Sequence, residues 1–293
     1  MATNGFKNYS IKFSWLSQTW ARLKNDKMGL LGFVLVITVV LVAIFAHFLA
    51  PYDPNMINIS HRLQAPSLVH LLGTDHLGRD TLSRVIVGSR IALKVAMISI
   101  SLAMSGGLIL GLLAGYGPAW LDRIMILIFD TVRSFPTVMF ALALVTMLGP
   151  SLNTIIIVVV ITSIPMYGRI VRAQTLSLKN KEFIWAERST GAGMVRILAV
   201  HMLPNVIGPL LIIASMDVPV VVTIEAGLSF LGVGVRPPAP SWGSILNDGY
   251  AYIRNTTWIA IAGGVPLILT TVGFTFLGES LRDIFDPKLQ KDI

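Results

Sequence analysis

Long apolar runs alternate with short polar segments along the whole chain. The runs near residues 28–50, 91–116, 122–148, 152–167, 205–231 and 257–277 predict six spanning helices. An apolar run of about 20 residues crosses the hydrocarbon as a helix, and lipid-exposed backbone tolerates little else. The polar segments then fall alternately on the two faces of a membrane. The most polar of them, between the fourth and fifth runs, reads Glu182-Phe-Ile-Trp-Ala-Glu-Arg-Ser-Thr-Gly191 and continues to Leu203-Pro204-Asn205. Six basic residues lie between Arg169 and Arg196, and so polar a surface calls for a soluble partner.

The pattern divides the chain. Residues 1–27 form a polar arm in which Ile11, Phe13, Trp15, Leu16, Trp20 and Leu23 sit among charges, which suits a helix lying in the headgroup layer. Residues 28–87 hold the first span and a loop. The span is too long for a signal-peptide core and reads as a retained anchor. Residues 88–284 form the transmembrane core, with the polar loop at 168–204, and residues 285–293 a tail. Gly106, Gly107, Gly111 and Gly115 give the second span the small-residue spacing of close helix contact. A second loop at 232–256 holds a rigid, proline-rich segment.

Composition agrees with the pattern: 54% of residues are hydrophobic and 13% charged, against about a quarter charged in soluble domains. The net charge of +8 sits beside apolar runs, which favours anionic lipid headgroups and a soluble partner over nucleic acid. No cysteine is present. With the N-terminus inside, fifteen Lys and Arg flank the spans on the inner side and five lie in the opposite loops. Both termini and the polar loop are therefore expected in the cytoplasm.

Candidate chemistry is sparse. Asp130 and Arg133, one helical turn apart in the third span, are expected to pair. They fit a polar lining of a path or a brace between helices, because an isolated charge in the bilayer costs at least about 2.5 to 3.5 kcal/mol. Asp217 and Glu225 in the fifth span are expected to face a path, and Pro136 and Pro165 to kink their helices. In the first loop Gly73 and Gly78 permit tight turns, and Asp75, Arg79, Asp80 and Arg84 are placed to pair with one another. The five histidines lack metal-ligand spacing, and Asp75-His76 with Asp80 reads as a loop brace; no metal site is expected. The chain has no Gly-rich phosphate loop, so ATP hydrolysis would belong to another subunit.

Phe183, Ile184 and Ala186, then Met194, Ile197 and Leu198, predict two short amphipathic helices joined by Thr190-Gly-Ala-Gly193 and closed by Pro204. Such an elbow can press a helix into a partner's groove, or can be a solvated inner loop. Its spacing resembles the cytoplasmic loop of binding-protein-dependent ABC importer permeases, Glu-Ala-Ala, three residues, Gly, then a hydrophobic stretch ending in Leu-Pro. Ala186, Gly191 and Leu203-Pro204 fall on that pattern, while Trp185 and Glu187 depart from it. Three further stretches are similar to the dipeptide/oligopeptide/nickel group and its C-type subunit: Leu72-Gly-Thr-Asp75 with Gly78-Arg-Asp80 and Ser83-Arg84, Leu228-Ser-Phe-Leu-Gly232 with Pro237-Pro-Ala-Pro-Ser-Trp-Gly243, and Leu281-Arg-Asp283 with Asp286-Pro287.

The resemblance implies an all-α, six-span subunit of type I importer architecture in the bacterial inner membrane. It implies pairing with a homologous second permease subunit, one or two cytoplasmic ATPases that hold ATP and magnesium, and an extracytoplasmic solute-binding protein; the chain itself carries no cofactor. Glu182, Trp185, Ala186, Glu187, Arg188, Gly191, Ala192, Ile197, Leu203 and Pro204 would form the ATPase-coupling loop. Di- and oligopeptides are the implied solutes, with nickel or another small solute as the alternative within the group. A different class, an ATPase-independent channel or carrier, would make Asp130 and Glu225 ion sites, and an inverted internal repeat would favour it.

Overall fold

A computed structural model describes residues 20–285 of the chain. Most of the amphipathic arm and the Asp286-Pro287 end of the tail lie outside the described residues. Helix α1, Lys27–Ile44, begins where the Asp26 side chain accepts the Met28 N–H at 3.1 Å. One further turn, Ala46–Leu49, leads into a loop running to Asp80. Then come α2, Thr81–Tyr116; α3, Ala119–Ser134; α4, Thr137–Leu148; and α5, Leu152–Lys179. Helix α6, Glu182–Ser189, is followed by α7, Leu203–Phe230; α8, Trp242–Ala251; and α9, Trp258–Phe285. Among the described residues the structure is helical with no strand, only an isolated bridge between Thr74 and Asp80.

The centre of the fold is α2 against α5, and small residues make it. A Cβ on Gly107 would meet Tyr167, one on Gly111 would sit 2.5 Å from the Gly168 carbonyl oxygen, and one on Gly115 would overlap Thr175. The backbones therefore approach along three successive turns, as helices do where dispersion and not hydrophobic transfer holds them. Phe129 of α3 fills the remaining gap at Gly168, and Tyr167, Val171, Val158 and Val159 are fully buried. Helix α1 joins from the side, with Gly32 against the backbone of α9 at Leu277 and Gly273.

The helices depart from the predicted spans at four places. The third run is not one helix: α3 and α4 meet at 90° across Phe135 and Pro136. Pro136 has no N–H and disfavours helical backbone at the residue before it; Phe135 is extended, φ −87° and ψ 135°, and here α3 stops and α4 starts afresh. Among the described residues five helices are thus long and apolar enough to cross a membrane, and a sixth crossing exists if the bent pair serves as one. Helix α2 starts at Thr81, not near residue 91, because Asp80 caps it by accepting the Ser83 N–H at 2.8 Å. Helix α5 continues to Lys179, well past residue 167.

The last departure is in the elbow, where the second short helix is not separate. Met194–Arg196 runs through a π-helical turn, Ile197–Met202, straight into α7. Pro204 does not close it: it lies within this continuous run, directly after the π-helical turn, where the ordinary i→i−4 ladder is already displaced. The proline-rich loop also contains α8, which opens with a capping box: Ser241 and Ser244 exchange bonds between each hydroxyl and the other's backbone N–H, at 3.1 and 3.0 Å.

Candidate functional site

The elbow is one helix turned back on itself. Ile184 is the only fully buried side chain of α6 and anchors it to the body of the molecule. The helix ends at Gly191, whose φ of +83° suits only glycine without strain. There the Gly191 N–H donates to the Arg188 carbonyl and the Ala192 N–H to the Glu187 carbonyl, both at 3.0 Å, the paired bonds of a Schellman ending. The chain turns back and Ile197 is buried, which sets the angle at which α7 leaves.

What remains outward is a mixed apolar and charged surface. Glu182, Trp185, Ala186, Arg188, Gly191 and Pro204 are exposed, Glu187, Ala192 and Leu203 half-buried. Trp185 is 59% exposed and Val195 80% exposed, with Phe183 and Met194 beside them. Adjacent residues of α6 hold it in opposite directions. The Glu187 carboxylate lies 3.3 Å from His201 Nε2 and 4.0 Å from Arg196 Nε, both on the way into α7. Arg188 Nε donates to the Tyr116 hydroxyl at 3.2 Å, with its guanidinium over the Tyr116 ring at 5.1 Å. Tyr116, 72 residues away, is not singled out by the sequence pattern, which marks Ile184 only as one of three apolar residues of the short helix.

The polar residues of the spans are arranged differently from expectation. Asp130 pairs with Arg169 of α5, not with Arg133, which is exposed and has no ion pair among the described residues. The same two helices are joined again where Arg172 Nη2 donates to Asp122 Oδ2 at 2.8 Å. Eight residues of α3 thus meet three of α5, so the helices cross instead of running side by side. Asp217 and Glu225 turn into the chain's own interior. Asp217 accepts the Tyr167 hydroxyl at 2.8 Å, and Glu225, fully buried, accepts the Ser229 hydroxyl at 2.8 Å. Neither lines an open face of this chain.

In the first loop Asp75 pairs with Arg79 and Arg84 as expected, whereas Asp80 pairs with His70 and with neither arginine. Gly73 and Gly78 have φ of +69° and +74°, and a Cβ on either would collide with the carbonyl of Gln64 or Asn58. The turn this allows points Asp75 at its own loop: the carboxylate accepts the Leu77 N–H at 2.9 Å, the Arg79 N–H at 3.0 Å and Arg79 Nε at 2.6 Å. Arg84 Nε approaches the same carboxylate at 3.4 Å. Asp80, besides capping α2, is bonded to His70 Nδ1 at 2.9 Å. Asp248 of α8, which the sequence did not single out, closes the cluster at 3.6 Å from both Arg79 and His76 and 4.0 Å from Arg84. Burial raises its carboxyl above the usual range, against the pull of His76, Arg84 and Arg79. Asp75, His76 and Asp248 converge within 4.8 Å, but two guanidiniums already neutralise the carboxylates, a poor setting for a cation.

Comparison with known proteins places these features in context. Residues 107–291 match the binding-protein-dependent transport system inner membrane component family, and residues 14–66 match the N-terminal transmembrane domain of oligopeptide transport permease C. The dipeptide transport system permease protein DppC of Alkalihalophilus pseudofirmus is 36% identical over 273 residues, 93% of this chain and 90% of that one. The di/tripeptide transport system permease protein DppC of Pseudomonas aeruginosa is 35% identical over 94% of this chain and 93% of its own length. The glutathione transport system permease protein GsiD of an Escherichia coli strain is 39% identical over 92% and 90%. Among solved structures, a chain of the MetNI methionine ABC transporter in an inward-facing conformation superposes with a TM-score of 0.57 at 21% identity, over 69% of this chain and 97% of that one. That likeness concerns the fold.

Proposed function

The chain belongs to the family of binding-protein-dependent transport system inner membrane components, and on that premise we propose that it is one permease subunit of an importer for di- and oligopeptides. It pairs with a homologous second permease subunit to enclose the path. One or two separate ATPases, which hold ATP and magnesium, drive it from the cytoplasm by docking on α6, and a solute-binding protein delivers peptide to the opposite face. The chain catalyses nothing itself. The short-peptide solute is supported by the dipeptide, di/tripeptide and glutathione names of the relatives.

The observation that carries this reading is the elbow. Its α6 is fixed by one buried side chain and two polar tethers yet presents Phe183 and Trp185 to the exterior, and Met194 and Val195 lie exposed just past the turn. Single exposed apolar residues are ordinary, but several of them on one short elbow, set among charges, suit a protein interface. ATP-driven closure of the docked ATPases would move α6, and the spans would follow to alternate access. A carrier using Asp130 and Glu225 as ion sites is less well supported: Asp130 is held by Arg169 and Glu225 is enclosed by Ser229.

The test is mass spectrometry of everything that co-purifies with the tagged chain from native membranes in mild detergent. Wild type should bring down the ATPases and a second permease subunit. Gly191→Trp, strained at φ +83° and bulky at the docking surface, should stay in the membrane with the second permease subunit and lose the ATPases. Normal ATPase recovery in the variant would remove the docking role from the elbow.

A further inference from the structure

Tyr116 sits at the end of α2, where the chain turns at Gly117 and Pro118 into α3. Two cations converge on it. Lys179, the last residue of α5, donates to the Tyr116 carbonyl at 3.0 Å and has its ammonium 5.5 Å from the ring centroid. Arg188, in the last turn of α6, donates to the hydroxyl and lies over the same ring. One aromatic side chain thus receives both the end of α5 and the end of α6. A cation over a ring face is attracted by the ring's quadrupole, the more strongly when desolvated.

The neighbouring residue of α6 is tied elsewhere. Glu187 reaches His201 and Arg196, at the root of α7. A displacement of α6 therefore has two polar outlets, one residue apart: Glu187 towards α7, and Arg188 towards the α2–α3 turn. Beyond that turn, α3 is fastened to α5 by Asp122–Arg172 and Asp130–Arg169. A push delivered at Tyr116 therefore reaches α3 as a unit, up to its break at Phe135 and Pro136.

We propose that Tyr116 is a positioning residue that registers α6 on the α2–α3 turn, so that α6, α2 and the start of α3 move as one body when the ATPases close. This rests on the reading of α6 as the docking helix.

The chain contains no cysteine, so a pair of engineered ones is the only pair of labels it contributes, and the same complex without them, labelled in parallel, gives the background from its partners. Ser189→Cys on α6 and Ala119→Cys on α3, both exposed positions, are spin-labelled in the complex purified with its ATPases. Their separation is measured nucleotide-free and after trapping with ATP and vanadate. With Tyr116 intact, the distribution is narrow and the same in both states. Tyr116→Leu should broaden it about twofold and make it shift on trapping, having lost the ring that holds both cations. Tyr116→Phe keeps the ring and should restore the narrow distribution. Arg188→Gln should reproduce Tyr116→Leu, and the double variant should add nothing. An unchanged distribution in Tyr116→Leu, or a shift on trapping with Tyr116 intact, would overturn the proposal while leaving ATPase docking on α6 in place. Absence of any ATPase from the purified complex would instead sink the docking reading.

Discussion

The two ends of the molecule treat charge in opposite ways. At the end away from α6, Asp75, Arg79, Asp80 and Arg84 are each less than a tenth exposed, and every one has a charged or hydrogen-bonding partner within the chain. At α6 the charges are displayed: the Arg196 side chain is 69% exposed and Arg188 lies open beside Trp185. A buried charge left without a partner is costly, so an enclosed set must be completed by its own fold. An exposed set carries no such demand, and its composition answers to whatever it meets. The first region is closed within the chain, and the second is left open to the exterior.

That contrast can be broken most forcefully at Asp75. Asp75→Asn leaves two buried guanidiniums sharing Asp248, and should lower stability by about 3 kcal/mol, because removing one partner of a buried pair strands the other. Thermal unfolding in detergent reads it directly, and a loss comparable to that of an exposed substitution would refute the enclosed view of this end. Asp248 gives a smaller, pH-dependent effect. Its carboxyl is raised from 3.8 by burial, so above 3.8 the folded chain holds a proton that the unfolded chain has released. Stability from this group is therefore greatest at acid pH and declines as pH rises towards the raised value, levelling off beyond it. Asp248→Asn should flatten that part of the melting curve against pH, and an unaltered slope would show that Asp248 does not titrate there. The smallest change is expected at Trp185. Trp185→Ala should shift stability by no more than about 0.5 kcal/mol, as for exposed sites generally, while weakening recovery of the ATPases. A large loss of stability would mean that this end, too, is built for the fold.

The same contrast explains what could be read from the sequence. The pairing of Asp75 with Arg79 and Arg84 was legible because it is local: the partners lie within ten residues, and glycines at 73 and 78 announce the turns. Helix α6 was legible as well, through its apolar spacing and the glycine after it. Long-range partners were not. Asp130 was expected to take Arg133, one turn away, but α3 crosses α5 and brings up Arg169. Nothing in a periodic pattern encodes a crossing angle. Pro136 was marked as a kink, yet whether a proline bends a helix or ends it depends on the packing around Phe135. Helix α8 was missed among prolines, although Ser241 and Ser244 carried the capping signal in a form without the usual Glu. Asp217 and Glu225 turned inward because Tyr167, Ser229 and the close helices supply partners that a helical wheel cannot foresee.

The last charged residue along α2 is Lys94, and residues 95–116 then run without charge for about 33 Å at 1.5 Å per residue, close to the roughly 30 Å of hydrocarbon. The part from Thr81 to Lys94 adds about 21 Å more of helix beyond that depth. An upright α2 is thus a mast, and the knot of Asp75, Arg79, Arg84 and Asp248 is mounted near its top.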